Sequence, residues 1–167
     1  MQGVKIILLI VYLLVLGVFL VINQMTPIPD ASSGNGNPAL LLAWVLLPLL
    51  YLLVLLWIRI LRMYSINTFF SIGGLLVIMI HQITAFSYQK REINEYRQVI
   101  KNELFKRYGI VDEEYVRMIT KGLSIHVNNQ YFNLNTYFMF VTFSIFVAMV
   151  CILWIKKKEK NMMSIKS

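Results

Sequence analysis

The chain is short of charge, and what charge it has is unevenly placed. Of its 167 residues only 14% are charged, while 58% are hydrophobic. A water-soluble domain of this length carries nearer a quarter charged residues, so most of this chain is built for a non-aqueous solvent. There is a single cysteine, Cys151, which excludes an intrachain disulfide framework. No Asn-x-Ser/Thr sequon occurs. The lack of both sequon and disulfide favours a bacterial plasma membrane over an extracellular eukaryotic setting.

Catalytic patterns are also missing. The sequence has no GxSxG, P-loop, HExxH or CxxC spacing. Its two histidines, His81 and His126, are too few for a histidine metal cluster, and neither is joined by a thiolate set. Glu113 and Glu114 stand where a helix start would hold them. We therefore expect no enzymatic activity, no metal and no cofactor. Gly73-Gly74 lies inside an apolar run and cannot cradle a phosphate.

What is present is four long apolar runs: Ile6–Ile22, Ala39–Ile58, Phe69–Phe86 and Tyr137–Ile155. Each contains no Asp, Glu, Lys or Arg, and about 20 such residues cross a hydrocarbon core. The first run is longer than a signal-peptide core and lacks a small-x-small cleavage site, so it reads as a retained anchor. Pro48 should kink the second run by freeing a backbone carbonyl. The third is the most polar. Ser71, Gly74 and Ala85 fall on one face with His81, which predicts close helix packing and a central place in the bundle. His81 and Gln82 form a candidate intramembrane polar site, since imidazole can titrate near neutral pH.

Composition changes sharply after Phe86. Residues 87–135 form the one segment large enough to fold in water, between residues 1–86 with three spans and 136–167 with the fourth. Tyr88–Tyr108 predicts an amphipathic helix carrying Ile93, Tyr96, Ile100 and Leu104 on one stripe, stopped by Gly109. Asp112 should cap a second helix, with Val111 and Val116 spaced as a hydrophobic staple. Leu123–Leu134 alternates like a β-hairpin turning at Asn128-Asn129. The expected fold class is thus a four-helix transmembrane bundle with a small α+β domain of two short helices and a hairpin. The stripe together with Ile125 and Phe132 is the candidate partner surface.

The net charge of +8 and pI near 9.7 would suggest nucleic acid in a soluble protein. Here many bases sit beside the apolar runs, where anionic lipid and topology explain them, so no nucleic-acid partner is expected. Basic residues divide evenly between the two sides of a four-span topology. Two features favour both termini in the cytoplasm: the short Arg59/Arg62 turn, and Lys156, Lys157 and Lys158 directly abutting the fourth span. The expected function is that of a multi-pass membrane protein acting through contacts, as an accessory, regulatory or immunity-type module. Its expected partners are the lipid bilayer and a membrane or extracytoplasmic protein, or a second copy of itself. The alternative is a small transporter or pore using His81 and Gln82.

Overall fold

The computed structural model describes residues 2–28, 36–64, 66–122 and 124–166. It is 86% helical, with no strand among the described residues. The described residues form seven α-helices in order: α1 (Gln2–Gln24), α2 (Ala39–Ala43), α3 (Leu46–Met63), α4 (Thr68–Tyr108), α5 (Glu113–Ile119), α6 (Asn128–Tyr131) and α7 (Leu134–Lys166). A 3₁₀ turn, Ile125–Val127, precedes α6. The middle of the breaker loop after α1, positions 29–35, lies outside the described residues.

Four of these segments are long and apolar enough to cross a membrane: α1, α2 with α3, α4, and α7. Their outward faces carry large apolar side chains such as Leu13, Leu47, Phe69, Val77 and Ile83, all exposed. Such an apolar girdle would drive aggregation in water and suits a hydrocarbon solvent. α1 buries Val4, Leu8, Val11, Val15, Phe19 and Ile22, a three-four spacing that makes one straight seam. That seam packs on Leu46, Leu53 and Leu56 of α3.

The second apolar run is interrupted one turn upstream of Pro48. Pro48 has no N–H to offer the Trp44 carbonyl, and Leu47 N donates to that carbonyl instead, at 3.2 Å. Val45 N likewise donates to Leu42 O at 3.0 Å, so the chain tightens at Trp44-Val45 and separates α2 from α3.

The third apolar run is not the centre of the bundle. α7 is: it packs on α3, α4 and α1, whereas the apolar half of α4 packs chiefly on α7. Only 11% of α4's apolar window is buried, against 28% for α1. Small residues on one face bring a single neighbour close, and they do not surround a helix with partners. Ala148, Met149 and Ile152 of α7 fill the contact between Leu61 of α3 and Leu75 and Ile78 of α4.

α4 continues without a break beyond the apolar run to Tyr108, and at 1.5 Å per residue it is about 60 Å long. Asn67 caps its start by accepting from Phe69 N, and Gly109, at φ 71°, ends it in the left-handed conformation. Asp112 caps α5 by accepting from Tyr115 N at 3.0 Å. α5 folds back on α4, closing a small core of Ile100, Leu104, Val116 and Ile119 with Val111 against it.

Leu123 lies outside the described residues; among those described the expected hairpin is absent, and this corrects the expected α+β domain to an all-helical head. Residues 125–131 form the 3₁₀ turn and α6, with Asn128 helical at φ −57°. A lone two-stranded ribbon leaves its outer backbone groups unpaired and has no sheet to join. The helical turns instead satisfy themselves locally, bury Val127 and Asn128, and turn their carbonyls toward neighbouring amide side chains.

Candidate functional site

One end of the bundle is built from carboxamides. Asn or Gln stands at the end of α1, before α2, just past the apolar part of α4 and at the start of α7. The fold brings these four places together with α6. Asn23 Nδ2 donates to the carbonyls of Phe132 at 2.8 Å and Asn129 at 3.3 Å. Thr26 Oγ1 accepts from Asn129 N at 2.8 Å. Asn37 and Asn128 exchange reciprocal amide hydrogen bonds of 2.7 and 3.2 Å.

Gln89 is the junction of this layer and is buried. Its Oε1 accepts from Asn133 Nδ2 at 3.3 Å and from Asn135 Nδ2 at 3.2 Å, and its Nε2 donates to the Gln130 carbonyl. Asn135 also donates to the Ala85 carbonyl of α4 at 3.0 Å. Asn133 caps α7 reciprocally: its Oδ1 accepts from Thr136 N at 3.1 Å, and Thr136 Oγ1 accepts from Asn133 N at 3.0 Å. Carboxamides neither titrate nor attack carbonyls. What this layer does is lock the base of the head to three helices at once.

The head above it is held by a long-range ion pair and a cap. Lys101 meets Glu113 at 2.6 Å between α4 and α5. Arg97, which interrupts the apolar stripe in sequence, reaches the end of α5, where its Nε donates to Thr120 Oγ1 at 3.0 Å. A cation there also suits the negative end of the α5 dipole. Glu103 is held below the usual carboxylate range by the hydrogen bond and charge of Lys106. Burial pushes His126 down from its ordinary 6.5, and its Nδ1 has no hydrogen-bond partner.

The stripe singled out for a partner is used internally. Ile100 and Leu104 are buried under α5, with Tyr96 packed beside them. Phe132 lies in the α1 core, its ring 5.5 Å edge-on from Phe19. Ile93 and Ile125 are half-buried. The apolar groups that the head presents instead include Phe105, Tyr108 and Ile110 at its tip, Val99 on α4 and Met118 on α5, all exposed.

Within the apolar part of α4, Gln82 Nε2 donates to the Met139 carbonyl at 2.8 Å and to Thr142 Oγ1 at 2.9 Å. His81 Nε2 is buried with no hydrogen-bond partner. Ser71 is buried but donates to its own helix, to Asn67 O at 3.1 Å. Gly74 is the close approach: a Cβ there would stand 2.7 Å from Met149 Cε. Ala85 is buried against the start of α7.

The opposite end of the bundle is cationic. Arg59 and Arg62 lie at the end of α3 and Lys156, Lys157 and Lys158 on the last turns of α7. Lys156 Nζ donates to the Ile66 carbonyl, which ties α7 to the α3–α4 connection. Lys5 lies 5.5 Å from the Tyr64 ring centre.

The amide layer escaped the sequence reading because no carboxamide pairing has a fixed spacing: Asn23 and Phe132 are 109 positions apart. One signal was available, namely that every apolar run meets Asn or Gln at the same end of the bundle. No family model, curated protein or solved structure matches the chain.

Proposed function

We propose that this is a non-catalytic membrane protein that holds a rigid helical head above the bilayer for a partner protein, in an accessory, regulatory or immunity-type role. The observation that carries this reading is α4 itself. One unbroken helix joins the third apolar run to the head, and Tyr108 stands about 33 Å along it from Phe86. Gln89 clamps the helix where it leaves the apolar region, so the tip is fixed relative to the bundle.

The setting proposed is a bacterial plasma membrane with both termini cytoplasmic and the head outside. The cationic end supports it: Lys5, Arg59, Arg62 and the α7 lysines gather opposite the head, as the bias of cytoplasmic loops requires. In a Cys151→Ser background, cysteines at Lys121 and Ser164 test it. Labelling in intact cells at 121 and not at 164 is expected; the reverse overturns the orientation.

The contact role is tested by a photo-crosslinking residue at Ile110 in native membranes. One discrete adduct, lost when Phe105 becomes Asp, is expected. No adduct at Ile110, Phe105 or Met118 removes the reading. The transporter alternative keeps one observation in its favour, the buried and unpartnered His81 Nε2.

A further inference from the structure

A groove of about 470 Å³ opens sideways between α1 and α4 where the apolar runs end. Its volume is in the range of small-ligand sites. α1 and α4 line it together with α6 and the start of α7. Leu16, Phe19 and Leu20 line its deeper part, within the last apolar turns of α1. Its upper part is lined by carboxamides, Tyr88 and the carboxylate of Glu92, the one charged side chain among the described lining residues.

The polarity of that upper wall can be assigned. Asn23 Nδ2 is engaged by two backbone carbonyls, and Asn133 Nδ2 and Asn135 Nδ2 by the carbonyls of Gln130 and Ala85. A carbonyl only accepts, so these three amides cannot be turned round. Asn129 adds a buried Oδ1 with no partner. Glu92 makes the wall anionic. Beside it the Arg91 guanidinium lies 5.4 Å from the ring centre of the lining Tyr88 and pairs with Glu95 at 3.4 Å. A cation beside an anionic wall complements a zwitterion.

We propose that this groove holds a phospholipid with a primary ammonium head. The ammonium donates to Glu92, the phosphate lies at Arg91, and an acyl chain runs down Leu16 and Leu20. A quaternary ammonium has no N–H to donate, and an anionic head meets the Glu92 charge. The site does not depend on what the tip of the head contacts.

The test is native mass spectrometry of the delipidated full-length protein in detergent, titrated separately with phosphatidylethanolamine, phosphatidylcholine and phosphatidylglycerol. Phosphatidylethanolamine should be retained about tenfold more tightly than the other two. Glu92→Gln, at a half-buried helix position that does not hold the fold, should abolish that preference. Leu20→Trp should lower uptake of all three by filling the apolar end, and Glu103→Gln, remote on the head, should change nothing. Equal retention of the three lipids, or an unaltered preference in Glu92→Gln, overturns the proposal.

Discussion

Gln89 on α4 accepts from Asn133 on the loop before α7 at 3.3 Å, and through that bond the head is coupled to the bundle. The same oxygen accepts from Asn135, and the Gln89 amide donates to Gln130 O. Replacing Gln89 by Ala leaves two buried donors and a carbonyl without this partner. The expected loss is about 1–3 kcal/mol, read as a lower melting temperature in detergent. Gln89→Glu should be rescued by acid, because only the protonated carboxyl can still donate to Gln130 O.

The α4–α5 seam separates apolar from ionic contributions. Ile100 is fully buried there, and Ile100→Ala should cost about 2–5 kcal/mol. The Lys101–Glu113 pair is largely exposed on the Glu113 side, so Glu113→Gln should cost no more than about 1 kcal/mol, less at high salt. Hydrogen exchange across Glu113–Ile119 reads both. Equal effects of the two substitutions would show that the seam is held by charge.

These two sites also show what the sequence made legible. The Asp112 cap, the Val111/Val116 staple and the Gly109 stop are local, since each is set by residues within a few positions, and each stands as its pattern requires. The segment 123–134 is not of that kind. Its alternation of Ile125 and Val127 suits a strand, yet a strand needs neighbours that this chain does not supply. The place of α4 also depended on its neighbours. Ser71 and Ala85 are buried and Gly74 lies close to Met149, but a face of small residues cannot tell whether one helix or three will pack around it.

His126 gives the head a pH dependence of defined sign. Its folded pKa lies below the unfolded 6.5 because burial disfavours the imidazolium. Above 6.5 both states are neutral and the group contributes nothing. Below it the unfolded chain takes up a proton that the folded head resists, so stability falls as pH falls. Thermal melts from pH 7.5 to 5 should show that decline, and His126→Phe should remove His126's share of it.

A contact module and a pore differ in what His81 does. The contact reading predicts that liposomes containing the protein pass protons or small solutes no faster than empty ones. Flux that the parent supports and His81→Phe abolishes would favour the pore.

Gly73 and Gly74 are neighbours in sequence with opposite surroundings, which makes them a matched pair. A Cβ at Gly73 meets nothing within 4 Å, whereas one at Gly74 stands 2.7 Å from Met149 Cε and 3.5 Å from Sδ. Gly73→Ala should therefore be neutral or stabilising by up to about 1 kcal/mol, through helix propensity alone. Gly74→Ala displaces only the end of a flexible side chain, so its cost should be small and should vanish with Met149→Leu if the thioether tip is the obstacle. Gly74→Ile cannot be absorbed that way. It must push α4 off α7, at about 1–3 kcal/mol, and should weaken disulfide trapping between cysteines placed on the two helices. If Gly73→Ile and Gly74→Ile lower the melting temperature alike, α7 does not lie against the Gly74 face of α4, and the close approach described here is wrong.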